Sequence, residues 1–277
     1  MCFLVLLVVA LGGFFPGSIG ILGTILIVPV SLVLIALTIR SSLMAYSYAA
    51  DKYSRLLRVI SGLTGLLIPG LLVSVLPVTL GGFINRSAGG FQLMLGRLFS
   101  SFTVYAHIIF GIASELFISA LLLADYSKEG GDHSAFLVYR KIALILGPLT
   151  LLSAVIVAST YVPEALWITV NIRQRLPMFG LSVLAFLLGY LMLYIGRSRA
   201  AVVAIVFQYL FAMYAYGSSH MPYIVYPDYT IYNGITNHAM FVSLVIGYII
   251  GSAIMAPIFI WFWRLFLKDK RYIQGEK

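Results

Sequence analysis

The side chains able to do chemistry in this sequence are few. There are four histidines, His107, His133, His220 and His238, and one cysteine, Cys2. A lone cysteine leaves no place for an internal disulfide, Cys-x-x-Cys redox chemistry or a thiolate metal site. Zinc and di-iron centres need clusters such as Glu-x-x-His, and none is present. No P-loop, Gly-x-Gly-x-x-Gly fingerprint or nucleophile elbow occurs. A b-type heme held within a membrane usually takes two axial ligands converging from different helices, and only His107 lies inside an apolar segment. The nine methionines read as packing or lipid-facing residues. The chain by itself is expected to hold no heme and no metal.

Two charged residues sit where charge is costly. Glu115, in IIFGIASELFISALLLADYS, lies ten residues before Asp125, which on a helix is about 15 Å, near the middle of a bilayer. An unpaired carboxylate there is expensive, so it must be protonated, paired or hydrated. His107, two turns earlier, and Ser114 and Ser119 offer a polar track beside it. Glu115 and His107 are therefore candidates for a proton path or a subunit contact, against the simpler reading of neutral groups hydrogen-bonded to neighbouring helices. Arg40, closing LIALTIR, is a third candidate, although an arginine at a span end also snorkels to the interface.

The elements that must position these residues are written in the composition. Of 277 residues 61% are hydrophobic and 10% charged, against about a quarter charged in soluble proteins. Seven apolar runs, at 20–39, 59–78, 102–124, 142–161, 178–195, 200–216 and 239–263, are long enough to cross the roughly 30 Å hydrocarbon layer. An eighth, CFLVLLVVALGGFF at 2–15, is too short to cross. It lacks the basic flank and cleavage site of a signal peptide, and Pro16-Gly17 leads straight into the next run. It reads as the second half of a span, with the reading frame expected to continue upstream of Met1. The expected fold is an all-α polytopic membrane helix bundle of seven full spans and a partial N-terminal one, eight apolar helices in a single transmembrane domain over 1–277. Prolines 29, 69, 148 and 257 fall inside spans, where neighbouring helices re-satisfy the freed carbonyls.

The net charge of +9 is unevenly placed. If the spans alternate in direction, one side carries 14 lysines and arginines and the other 4. Such a bias places the basic side and the C-terminus in the cytoplasm, as expected of a multi-pass protein of the bacterial cytoplasmic membrane. It also removes nucleic acid as the reason for the charge. On the opposite side lies HMPYIVYPDYTIYNGITNHAMF (220–241), with no lysine or arginine and with Tyr223, Tyr226, Tyr229 and Tyr232 at intervals of three. Tyrosine, apolar in body and polar at its tip, suits the headgroup level, and Pro222 and Pro227 oppose regular helix. The segment is expected to be an extended strap over the helix ends, its tyrosines forming either an outer-face interface or a generic aromatic belt.

Four stretches, IPGLLVSVLPVTLGGFI (68–84), SALLLADYS (119–127), QYLFAMYAYGSSHMPYIVYPDYT (208–230) and IFIWFWRLFLKDKRY (258–272), together resemble subunit II of cytochrome bd-type quinol oxidases. The likeness runs over nearly the whole chain and is strongest to the short form found in Gram-positive bacteria. What the resemblance implies is a partner. In that family subunit I carries the two b-type hemes and heme d, oxidises quinol at the outer face and reduces oxygen to water. Subunit II sits beside it in the lipid as a heme-free member of a heterodimer and meets quinol only through that partner. Arg40 matches an arginine that ends the family's third span. Family members begin with a further span bearing an Asp-Phe-Gly-like motif, followed by a tryptophan next to an acidic residue; these acids are associated with proton delivery, and nothing in this sequence matches them. From other classes come a heme-independent secondary transporter, built on Glu115 and the proline-broken helices, and an assembly protein without a role in turnover.

Overall fold

The computed structural model describes residues 12–49, 52–87, 90–235 and 237–267, with side chains to residue 262. Residues 2–11 of the short apolar run and the basic C-terminal residues 268–277 lie outside the described residues. Seven described helices are long and apolar enough to cross a membrane, one for each predicted run. They are α1 (Ile19–Ser47), α2 (Ser54–Val73, continued by the short α3, Val75–Thr79), α5 (Phe102–Glu129), α6 (His133–Glu164), α8 (Leu176–Tyr194), α9 (Ser198–His220) and α11 (His238–Leu267). Between them lie the short helices α4 (Leu95–Ser100), α7 (Leu166–Gln174) and α10 (Ile231–Gly234).

In lipid every backbone polar group must be satisfied within the protein, which is why apolar runs of this length become helices. Their packing is built from neighbours in sequence: α1 lies against α2, α5 against α6, and α8 against α9. The pairs are joined by contacts of α5 with both α2 and α9. Small residues set the closest approach. A Cβ on Gly111 of α5 would come within 2.7 Å of the Pro69 carbonyl oxygen and 3.0 Å of the Gly70 Cα, so α2 and α5 touch backbone to backbone. On the far side of α5, Phe117 and Leu121 interlock with Ala143, Phe186, Ala201 and Ile205. The window of α11, by contrast, has none of its residues buried.

Several helices outrun the predicted spans on the basic side. The 29 residues of α1, 28 of α5 and 32 of α6 correspond to about 42–48 Å of helix, well beyond the hydrocarbon thickness. Arg40 therefore does not end its helix; α1 runs on to Ser47. At the start of α6, the Asp132 carboxylate accepts from the Ala135 amide at 3.0 Å and the Ser134 hydroxyl at 2.7 Å. These bonds hold its pKa below the ordinary 3.8.

The opposite side carries two small hairpins. Strands β1 (Ile84–Ser87) and β2 (Gly90–Leu93) pair antiparallel, as do β3 (Tyr223–Val225) and β4 (Tyr229–Thr230). The expected extended strap is thus a hairpin followed by the single turn of α10. Extended backbone must find partners for its N–H and C=O groups, and folding back on itself supplies them.

Candidate functional site

His107 is 1% exposed, on the face of α5 that meets α6. Its Nδ1 lies 2.7 Å from the Thr103 carbonyl oxygen, one turn back. A carbonyl only accepts, so Nδ1 carries the proton and Nε2 is left as an acceptor. The Tyr161 hydroxyl of α6 donates to Nε2 at 2.8 Å. Both ring nitrogens are thereby used within the bundle. The Tyr161 ring lies 6.3 Å from that of Tyr216 on α9, and Tyr216 in turn 6.0 Å from His220.

Glu115 does not join this arrangement. It is exposed on the surface of α5, and its Oε1 accepts from the Ser119 hydroxyl at 3.2 Å, a bond within its own helix. Two turns of helix rotate position 115 by about 80° from position 107, enough to turn one side chain inward and the other outward. The polar track expected from His107 to Glu115 is therefore not formed by these two residues. Tyr209 of α9 is the aromatic neighbour of Ser114 and Glu115. Arg40 lies apart from both. Its guanidinium packs across Gly65 of α2, where an added Cβ would meet Cζ at 3.0 Å, and its carbonyl accepts from the Ser61 hydroxyl at 2.9 Å. Among the described residues no carboxylate lies within 4 Å of it.

The charge-poor end of the bundle is closed by three connectors that meet around Trp167. Trp167, at the start of α7, stacks on Tyr226 with centroids 4.4 Å apart and rings 11° from parallel. Tyr223 and His220 meet it edge-on at 5.4 and 5.5 Å. Arg86 of β1 pairs with Asp228 at 2.8 Å and donates to the Tyr226 carbonyl at 2.9 Å. The Tyr226 amide donates to the Thr79 carbonyl, and the His220 Nδ1 donates to the Tyr223 carbonyl at 2.8 Å. The His220 Nε2 faces the Thr79 hydroxyl at 3.3 Å. Of the four tyrosines, Tyr223, Tyr226 and Tyr229 are half-buried in the cap, and Tyr229 packs on Phe91 of the first hairpin. Tyr232 alone among them is exposed, at 72%. A cleft of about 300 Å³ opens beneath Trp167, lined by Gly81, Arg86, Glu164 and Tyr226.

Trp167, Arg86 and Asp228 are absent from the sequence-based candidates, although two signals point to them. Asp228 is the single acidic residue of 217–238, and Arg86 is one of two basic residues in 79–101. Isolated charges of opposite sign on the charge-poor side of a membrane protein invite pairing.

At the other end of the bundle lies the basic cluster. The Ser198 hydroxyl donates to Asp125 at 2.9 Å, Arg199 pairs with Asp125 at 3.0 Å and Glu129 at 3.3 Å, and Lys128 donates to the Gly196 carbonyl at 2.7 Å. Arg140 caps the end of α8 through the carbonyls of Leu193 and Tyr194.

A seven-span helical bundle with one charge-poor, aromatic end and one basic end, its buried histidine engaged with protein groups, defines a polytopic membrane protein. Residues 1–266 match the family model of cytochrome bd terminal oxidase subunit II, and the chain belongs to that family. It is 43% identical over 284 residues to the putative cytochrome bd menaquinol oxidase subunit II of Bacillus subtilis (strain 168), a match covering 99% of this chain and 82% of that protein. Its fold superposes on the bd oxidase structure from Geobacillus thermodenitrificans with a TM-score of 0.82 and 34% identity, over 96% of this chain and 81% of that one. Family and fold identify a multi-pass membrane protein of respiratory electron transport.

Proposed function

We propose that this chain is the heme-free subunit of a cytochrome bd-type quinol oxidase, one transmembrane domain forming a heterodimer in the lipid with a heme-bearing subunit I. The hemes b and d, the quinol site and the reduction of oxygen to water belong to that partner. Beyond family membership, the observation that carries the heme-free reading is the use of both His107 ring nitrogens by Thr103 and Tyr161. An axial ligand needs a free imidazole nitrogen. His220, which is half-buried, has its Nδ1 committed to Tyr223 and its Nε2 turned to Thr79. α11 supports a subunit contact: although Phe241 and Tyr248 meet Phe14, none of its described span window is buried, which leaves surface for a partner or for lipid. By the positive-inside rule the basic end and the C-terminus are cytoplasmic, and the aromatic cap with Tyr232 at its surface is the outer-face candidate for docking.

The test is purification through a tag on this chain, with and without co-expressed subunit I, followed by reduced-minus-oxidised spectra. Heme b and heme d bands are expected only when the partner co-purifies. Heme retained by this chain alone overturns the proposal.

A further inference from the structure

Between α8 and α9, at their basic end, runs an open groove of about 830 Å³. One wall is Leu181, Leu184 and Leu188 of α8; the other is Val203, Phe207 and Phe211 of α9. The spacings 181, 184, 188 and 203, 207, 211 put each set on a single helix face. Ala185, Ala200 and Ala204 line the space between the walls, and their short side chains are what leaves the room. From Ala200 to Phe211 the groove extends about 16 Å, the depth of one leaflet's hydrocarbon.

The mouth of this groove is charged. Lys128, Glu129, Arg197 and Arg199 line it. Arg199 is neutralised by Asp125 and Glu129. Lys128 has no carboxylate within 4 Å among the described residues; its ammonium donates to Gly196 and sits over the Phe136 ring at 5.7 Å. Arg197 is exposed and likewise has no carboxylate partner among the described residues. It also stands at the N-cap of α9 without using its side chain as a cap, so the positive end of a 23-residue helix opens at the same place. Lys128, Arg197 and Arg199 against Asp125 and Glu129 leave a surplus of one positive charge, with Lys128 and Arg197 paired to neither carboxylate, above an apolar trough one leaflet deep; this is complementary to one kind of molecule.

We infer that this groove binds an anionic diacyl phospholipid of the leaflet on the basic side, which is the cytoplasmic leaflet under the orientation proposed above. An acyl chain lies along Leu184, Leu188, Val203 and Phe207, and the phosphate meets Arg197 and Lys128. Basic pockets between membrane helices on the cytoplasmic side recognise anionic headgroups by this pairing, and the buried chain adds apolar contact that a soluble anion lacks. The site is separate from the aromatic cap and from His107, so it does not depend on the heme-free reading.

The test uses the assembled oxidase complex in nanodiscs of equal parts phosphatidylglycerol and phosphatidylcholine, with lipid retained on the protein counted by native mass spectrometry after detergent extraction. The unmodified complex is expected to retain phosphatidylglycerol in preference to phosphatidylcholine. Arg197→Gln, which removes one of the unpaired cations, is expected to lower that retention about fivefold, the size expected from losing one basic contact, and Val203→Trp, which fills the trough from an exposed position, is expected to lower it as well. Arg55→Gln, an exposed basic change on α2 away from the groove, is expected to leave it unchanged. Unaltered retention in both groove variants overturns the assignment. So does a loss with Arg197→Gln alone, or an equal loss with Arg55→Gln, either of which makes surface charge the sole cause. Displacement by soluble glycerol phosphate would identify a free-anion site and equally overturn the lipid.

Discussion

His107 is buried inside the bundle with both ring nitrogens hydrogen-bonded, and Tyr161 supplies the second bond. Tyr161→Phe keeps the ring and removes the donor, leaving Nε2 as a buried acceptor without a partner, at a cost of about 1–3 kcal/mol. The expected result is a lower melting temperature of the complex with its heme content unchanged. Replacing both partners, Tyr161→Phe with His107→Phe, is expected to cost less than the two single losses added together, since neither polar group is then stranded. Strict additivity in that double-mutant cycle would show that the bond contributes nothing. Glu115 makes the opposite case. It faces outward and is held only by Ser119, so Glu115→Gln keeps its shape and its hydrogen bond and is expected to leave assembly and quinol-driven oxygen consumption within about twofold of the unmodified complex. A positioned proton donor or acceptor is worth about a hundredfold or more. A fall of that size in a fully heme-loaded Glu115→Gln complex would restore the proton-path role.

At the scale of elements, the aromatic cap depends on one close approach. Gly81 has φ +89°, and a Cβ there would fall on the Tyr226 carbonyl, which is also the acceptor for Arg86. Gly81→Ala is strained both by its backbone and by that collision. It is expected to displace the hairpin at 223–230 from Trp167 and to open the connector to protease on the outer face, while the spans remain folded. An unchanged cleavage pattern would show that the cap tolerates the shift. How far these elements could be read from the sequence follows from what fixes each of them. The seven spans were legible because length and apolarity decide a membrane helix locally. Their ends on the basic side were not, because α1, α5 and α6 continue as helix past the apolar residues, and the Asp132 cap marks a turn that hydropathy does not detect. Pro222 and Pro227 marked the extended part of the tyrosine connector but not the turn α10 that holds Tyr232, and the hairpin register depends on Thr79 and Arg86, about 140 residues earlier in the chain. The inward aim of His107 was hidden for the same reason: Tyr161, which donates to its Nε2, is 54 residues away in the chain.

For the whole molecule, the two ends differ in kind before any orientation is assigned. Three connectors converge around Trp167 and Arg86 at one end, while Asp125, Lys128, Arg140, Arg197 and Arg199 gather at the other. These contacts show that α5, α6, α8 and α9 alternate in direction. Given that alternation, the 14 to 4 division of lysines and arginines predicts the basic end on the cytoplasmic side, where basic loops are retained during insertion. A reporter active only in the cytoplasm is therefore expected to give signal when fused after Lys277 and none when placed in the outer connector between Asp228 and Gly234. A reporter active only outside should give the reverse. The α10 turn at Ile231–Gly234 is the better insertion point within that connector, since Tyr232 is exposed there and the Trp167 stack is left intact. Signal from the cytoplasmic reporter at 228–234 would invert the bundle. It would move the aromatic cap to the cytoplasm, and with it the surface now proposed to meet subunit I at the outer face.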